Sequence, residues 1–391
     1  MLNFVSLCPR NVRALRIAAL LFVSLVCSHA AADAASGTYT GSVQLRNNYY
    51  WERSTRVIAP NAVVSLDTPS GVRVDGTYLL DAITSASNAT GVSTDNLFTE
   101  KRNDVQAGLG YEFDLGTSQL DLSARGRFSK EPDYLSRGAG FNAALSLDER
   151  NTVLRFNGYL VHDDVYRKMR ASTAADPKHL NATMAVPAGE LNVLSMGVAW
   201  DQVINRQTTL TTGYDLSLLE GYQANAYRMV AFKDGGGGQP EKHPRERARS
   251  AGYVWLSYFN TISKTAFRGG YRLYYDNWDI LAHTPELRIH QEVGSHLEVR
   301  LRYRYYTQGP SFFYRKGGNL SNDRFYTADP KMSAFHDQTL GFKVRLSLDF
   351  LSFTKLGLLH DMVVDWNIEY VFNTNRYGNG VIAQGGIGFP F

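Results

Sequence analysis

The chain has 391 residues, 44% of them hydrophobic and 12% aromatic, with a mean hydropathy of −0.27 and a formal charge of +4. Its two cysteines, Cys8 and Cys27, both precede residue 33, which excludes a disulfide-stapled fold and a thiolate metal site for the remainder. Taking away the first 32 residues removes Arg10, Arg13 and Arg16 and no acid, leaving a formal charge of +1, so no charge block points to nucleic acid.

Residues 1–32 have the order of a cleaved secretory signal, with arginines ahead of an apolar run from Ile17 to Val26 and the small residues Ala30-Ala31-Ala32 behind it. That run is about half the length of a membrane-spanning helix. Val26 stands where lipid attachment at Cys27 would call for a small residue, so the expectation is removal at Asp33 rather than an anchor. No later stretch reaches eighteen uninterrupted apolar residues, and helical spans are not expected. Residues 33–41 then form a short periplasmic segment, and 42–391 a single folded unit.

That unit is a succession of period-two segments. Leu120, Leu122, Ala124 and Phe128 oppose Asp121, Ser123, Arg125 and Arg127, and Leu154, Phe156 and Leu160 oppose Arg155 and Asn157. Leu297, Val299, Leu301, Tyr303 and Tyr305 oppose Glu298, Arg300, Arg302 and Arg304. Across His336–Phe350, Leu340, Phe342, Val344, Leu346 and Leu348 oppose Thr339, Lys343, Arg345, Ser347 and Asp349. Next, Met362, Val364, Trp366, Ile368, Tyr370 and Phe372 oppose Asp365, Asn367 and Glu369. A helix would scatter these charges around its circumference. The last segment alternates through Val381, Ala383, Gly385, Ile387 and Phe389 to a terminal Phe391, the ending by which outer-membrane barrels are recognised for assembly; Pro390 departs from it but sits at a chain end.

The connections alternate between short and long. Short turns are expected at Asp67–Gly71, Asp114–Ser118, Asp148–Asn151, Asn205–Gln207, Asn260–Lys264 and Gln291–Ser295. Long or irregular ones are expected at Thr84–Arg102, Lys130–Arg137, Asp163–Glu190, Glu220–Arg249, Asp276–Ile280 and Gln308–Phe335. A soluble sandwich with one wet face would not show this asymmetry, whereas outer-membrane barrels have short periplasmic turns and long external loops. The fold class is therefore all-β, a transmembrane antiparallel up-and-down barrel of about sixteen strands in a Gram-negative outer membrane, wide enough for an aqueous lumen.

With the apolar faces toward lipid, the charges line the interior. Expected lumen residues are Arg268, Arg272, Arg300, Arg302, Arg304, Lys343, Arg345, Asp349, Asp365 and Glu369. Alternate residues on one strand stand about 7 Å apart, where two like charges repel by about 2.4 kcal/mol at an effective dielectric of 20. Partners are therefore required, and Asp349, Asp365 and Glu369 supply them, so a bracing ladder of ion pairs competes with an anion-preferring channel. His162-Asp163-Asp164 at a strand top admits a barrel hydrolase as a third reading, with a solvated loop start as its plain alternative. No other histidine has metal-ligand spacing, Gly235–Gly238 is a loop tip, and no cofactor is implied.

Several phrases resemble an outer-membrane family known as domain of unknown function 3570. They are Asp81-Ala82-Ile83-Thr84-Ser85-Ala86-Ser87, Glu131-x-Asp133-Tyr134, Gly221-Tyr222 with Tyr227-Arg228, Pro240-Glu241 with Pro244 and Arg247, Tyr271-Arg272-x-Tyr274-x-Asp276-x-Trp278, His283-Thr284, and Arg302-Tyr303-Arg304-Tyr305-Tyr306-x-Gln308 leading to Phe313-Tyr314. The resemblance implies a barrel without an assigned activity, and an association with extracytoplasmic redox or flavin-related processes. Placed on the predicted topology, these phrases ring the external mouth, where Tyr227, Arg228, Glu241, Arg247, Asp276, Trp278, His283, Tyr306, Gln308 and Tyr314 would either bind a small solute or brace neighbouring loops. The resulting expectation is a non-enzymatic, porin-like or solute-binding barrel; a scaffold for a periplasmic or surface partner is the alternative. Its surroundings would be outer-membrane lipid, lipopolysaccharide and the assembly machinery.

Overall fold

A strand crossing lipid has no water to satisfy its backbone, so its amides must pair with neighbours on both sides until the sheet closes on itself. The computed structural model, which describes residues 38–53, 55–86, 97–170, 183–225, 228–235, 238–353, 359 and 361–391, shows that closure. Residues 1–37, which include the expected secretory signal, and Tyr227 lie outside the described residues. The strands are β1 (Thr40–Glu52), β2 (Thr55–Asp67), β3 (Val72–Ala86), β4 (Leu97–Asp114), β5 (Gln119–Lys130), β6 (Tyr134–Leu147), β7 (Thr152–Arg170), β8 (Thr183–Asn205) and β9 (Thr208–Gly221). A small hairpin, β10 (Met229–Ala231) and β11 (Gly238–Pro240), follows. The barrel resumes with β12 (Glu246–Asn260), β13 (Thr265–Asp276), β14 (Leu281–Val293), β15 (Leu297–Gln308), β16 (Phe335–Ser347), β17 (Val363–Asn373) and β18 (Gly380–Pro390).

All but β10 and β11 form one closed antiparallel barrel in which every strand pairs with its neighbours in sequence order and β1 pairs with β18. Eleven residue pairs, from Ser42↔Pro390 to Glu52↔Gly380, make the seam. Beyond them Gly41 N donates to Phe391 O at 2.8 Å and Phe391 N to Gly41 O at 2.9 Å. A Cβ at Gly41 would sit 2.6 Å from the Phe391 ring, so the glycine makes room for the terminal aromatic. The proline at position 390 lacks a donor only at the last rung, where its loss is tolerated.

The sequence alternation sorts cleanly onto two faces. Leu45, Val64, Val105, Leu256, Leu301 and Leu340 are exposed on the outer surface, which is where a bilayer supplies the missing apolar environment. Exposed aromatics lie toward the external ends of strands, as Trp51, Tyr275 and Phe372 do, and toward the periplasmic ends, as Tyr258 and Phe267 do, in the positions of interfacial girdles. Inward-facing positions carry the charges.

Several loop boundaries differ from the sequence expectation. β7 and β8 continue pairing out to Arg170↔Thr183, through what reads as a loop from Asp163 to Glu190. Above the bilayer neither face meets lipid, so the period-two signal disappears although the ladder persists. A register shift between Val165 and Tyr166 lies beside Pro187, the partner of Tyr166 and a residue that cannot donate to the ladder. The external connections 131–133 and 277–280 are short, and β16 leads on the periplasmic side into a 3-10 turn at Asp349–Phe353. Asp349 is thus in a periplasmic connection beside Ser347 and His296, not on the lumen wall.

The two faces make a direct prediction. Leu301→Arg, on the lipid side, lowers unfolding stability in lipid vesicles by about 2–4 kcal/mol if it lies near the midplane, while Asn142→Arg, exposed inside, changes it by less than about 1 kcal/mol. Equal losses for both would contradict the assignment of faces.

Candidate functional site

Along the lumen wall, neighbouring strands present acids to bases at matched heights. Arg302 donates to both oxygens of Glu286, at 2.8 and 3.1 Å, and to Glu369 at 2.6 Å. Arg300 donates to Asn367 at 3.0 Å and lies 3.7 Å from Glu369. Arg304 reaches Asp337 at 3.1 Å, Lys343 reaches Asp365 at 3.2 Å, and Arg345 lies 3.8 Å from Glu298. Arg272 is 4.0 Å from Asp215. On the opposite wall Arg125 meets Asp75, Arg127 meets Asp104 and Arg155 meets Asp201, at 2.6, 2.5 and 2.6 Å. Glu286 and Asp337 were not singled out in the sequence as partners, because which inward acid faces which arginine depends on inter-strand register.

These pairs do not fill the barrel. The side chains of Arg125, Arg155, Arg272 and Arg345 remain 41%, 49%, 46% and 56% accessible although all point inward. Water therefore reaches the wall. Half-exposed pairs of this kind contribute about 0–1 kcal/mol each, so they fix side-chain positions more than they stabilise the fold.

At the external mouth the polar groups are buried together between loops. Asp276, fully inaccessible, ends β13 and organises the turn to β14. Its Oδ1 accepts from the amides of Trp278 and Ile280 at 3.0 and 3.1 Å, while Oδ2 accepts from Arg247 Nε at 2.8 Å and the Tyr274 hydroxyl at 2.7 Å. Asp279 completes the turn with φ at 67°. Trp278 is 1% exposed. Its indole N–H donates to Glu246 O at 3.1 Å, the Arg247 guanidinium lies 4.0 Å over the ring, and His243 and Phe313 meet it edge-on at 5.4 and 5.1 Å. One turn thereby pins two long loops, 222–245 and 309–334.

Those loops also bind each other. Lys242 and Tyr326 exchange backbone hydrogen bonds, Ser321 donates to Asp234, and Glu241 Oε1 accepts from Thr327 Oγ1 at 2.7 Å and Ala328 N at 2.9 Å. Arg228 closes the arrangement, 2.7 Å from Asp329 and 3.6 Å from Glu241, with its second terminal nitrogen donating to the Tyr377 hydroxyl at 2.8 Å. Tyr377 belongs to the β17–β18 connection, whereas Arg228 belongs to the connection between β9 and β12. Sixteen strands at ordinary spacing and tilt give a wall about 100 Å round and about 30 Å across. Since β13 to β16 stand between those two connections, their contact requires the 222–245 loop to cross the mouth. At the base of the other loop, Tyr306 donates to Gln308, whose amide donates to Lys331 O and Ser333 O at 2.9 and 2.8 Å, clamping the loop's two ends together.

Of the mouth residues expected from the sequence, Arg228, Glu241, Arg247, Asp276, Trp278, Tyr306 and Gln308 meet in this cap. Tyr314 lies in it through a backbone bridge to Thr327. His283 does not, because its register partners Leu273 and Thr307 place it on the outer face, against the Tyr271 hydroxyl. Phe313, from the Phe313-Tyr314 phrase, joins the cap, whereas the cap's remaining members, His243, Thr327, Asp329 and Tyr377, carry no local sequence signal. His162 and Asp163, adjacent on β7, point to opposite faces: His162 bonds Asn192, while Asp163 accepts from Tyr134 within the barrel. His162 and Asp163 thus do not face one water together, and His162 Nε2 instead lies 3.5 Å from Asp164. Among the described residues, no group of three potential ligands is positioned to hold a metal.

Electrostatics in the cap follow from burial. Burial works against the Arg228 charge, yet Asp329 and Glu241 hold its pKa above the ordinary value. Burial raises the Glu241 carboxyl and pushes His243 down to about 4. His243 Nδ1 faces the Gln223 carbonyl at 3.1 Å and must donate to it, so Nε2 presents its lone pair 3.7 Å from Glu241 Oε2.

The family described as "Protein of unknown function (DUF3570)" matches residues 93–370. No curated protein matches the chain. Among solved structures, CdiB from Acinetobacter baumannii is 8% identical with a TM-score of 0.48, over 91% of this chain and 60% of its own length. The siderophore receptor PirA from the same organism is 10% identical with a TM-score of 0.45, over 86% of this chain and 53% of its own. OccK3 (OpdO) of Pseudomonas aeruginosa is 11% identical with a TM-score of 0.38, over 90% and 95%. The chain thus spans well under two thirds of CdiB and PirA, and the likeness to all three is one of fold.

Two outcomes are expected at the cap. Asp276→Ala strands the Arg247 charge beside Trp278 and costs about 3–5 kcal/mol locally, so amides of 222–245 and 309–334 exchange faster while those of the barrel wall do not. For His243 the folded pKa lies below the unfolded value near 6.5, so the unfolded loop binds more protons and cap stability falls as pH drops from about 6.5 to about 4. Glu241 acts in the opposite sense, and comparison with His243→Phe isolates the histidine part. Protection factors of the loop amides, which divide out the intrinsic slowing of exchange in acid, should fall more steeply on acidification in the wild type than in the variant; parallel profiles would contradict this.

Proposed function

Because the chain belongs to the DUF3570 family, whose matched stretch contains both cap loops and the Asp276 turn, we propose that it is an outer-membrane channel for small solutes whose external mouth is partly covered by a folded cap. The observation that carries this reading is the hydration of the wall. Several inward-facing arginines remain about half accessible, at 46% for Arg272 and 56% for Arg345, so the lumen is an aqueous volume lined by fixed charges. The cap lies over the β12–β18 side, where it narrows the entrance and sets which solutes reach that volume. Its buried bonds between separate loops make it a discrete element that can hold one arrangement.

Planar bilayers test this. Folded protein should give discrete conductance steps, and Arg228→Ala, which leaves Glu241 and Asp329 without their common cation, should raise the mean conductance or the frequency of opening. Silence from both proteins at every voltage would contradict the channel and favour a scaffold that only presents its cap to a partner.

A further inference from the structure

We infer that the β12–β14 wall of the lumen holds a binding site for the carboxylate of a small anionic solute, formed by Arg268 and Arg288 over the Trp255 indole. The inference deepens the aqueous-channel reading and rests on it for access. Trp255 points inward, and its ring lies against Gly270, where a Cβ would come within 2.2 Å of it. The missing side chain lets the indole lie flat on the wall. Over that ring stand two guanidiniums, Arg268 at 4.8 Å and Arg288 at 5.0 Å from the centroid.

Arg268 and Arg288 are direct partners in the β13–β14 register, a pairing of like charges that a sheet does not favour. The nearby acid does not resolve it. Glu286 accepts from Arg288 Nε at 2.5 Å and from Arg302 at 2.8 and 3.1 Å, so its two oxygens are committed to two other arginines. Arg268 has no ion-pair partner among the described residues, and its Nε is buried without an acceptor. Elsewhere on the wall Arg125, Arg127, Arg155 and Arg304 each have a carboxylate. Arg249, nearer the mouth, also has a buried Nε without an acceptor, but at Arg268 the surplus cation stands beside a second cation and above an aromatic floor. A planar carboxylate can accept from both guanidiniums at once and lay a compact apolar body along the indole edge. A phosphate-sized or bulkier anion gains the charge but not the flat contact.

Calorimetric titration of benzoate into folded, detergent-solubilised protein tests the site, with benzamide as the neutral isostere. Saturable benzoate binding is expected, with benzamide not binding. Affinity should fall at least about tenfold in Arg268→Gln and by less in Arg268→Lys, which keeps charge without the fork, and stay unchanged in Arg125→Gln, on β5. Circular dichroism of each variant confirms the barrel. Absent benzoate binding, or equal affinity in Arg268→Gln and wild type, would overturn the site. The measurement needs no conduction: intact binding with silent bilayers sinks the channel alone, and conduction without Arg268-dependent binding sinks the site alone.

Discussion

Closure of the hydrogen-bond ladder between β1 and β18 is the constraint from which the other features follow. In hydrocarbon an open edge would leave a row of backbone donors and acceptors unsatisfied, each at a cost of several kcal/mol. With the seam made, from Glu52↔Gly380 down to the Gly41–Phe391 exchange, one face of every strand is committed to lipid. The charged residues then have a single place to go, and the interior becomes the only polar surface at membrane depth.

That commitment explains the contrast between the wall and the mouth. Many wall charges, such as Arg125, Arg155, Arg272 and Arg345, answer acids on nearby strands while staying wet, and for these the pairing sets geometry at little energetic gain. Cap charges are buried, and there a missing partner is expensive. Asp276, with four donors on its two oxygens, and Arg228, with Asp329, Glu241 and Tyr377 around it, are satisfied accordingly. Arg268 lacks a carboxylate and stands with Arg288 over the Trp255 ring, which is why it stands out as a place for a ligand.

What was legible in the sequence tracks what a local pattern can encode. The alternation around Leu301, Leu340 and Trp366 was plain because lipid imposes a period of two on any strand it touches. The extensions of β7 and β8 were hidden because nothing outside the bilayer imposes that period. Asp276, Trp278, Arg247 and Glu241 were found as mouth residues, since their aromatic and charged phrases sit at strand ends. His243, Asp329 and Tyr377 were not, because the cap is built from long-range contacts such as Arg228 to Tyr377, 149 residues apart. Inward direction was likewise readable for Arg302, but the identity of Glu286 as its partner needed the β14–β15 register.

The central claim is that the barrel interior is a continuous aqueous path beneath the cap. Asn157 and Phe156, adjacent on β7, face the lumen and the lipid respectively, and the natural cysteines lie ahead of residue 33. Single-channel recording of Asn157→Cys and Phe156→Cys during addition of a charged, water-soluble thiol reagent tests the claim directly. The account predicts a stepwise fall in conductance for Asn157→Cys and none for Phe156→Cys. An unchanged Asn157→Cys current, or the same fall in both, would contradict it.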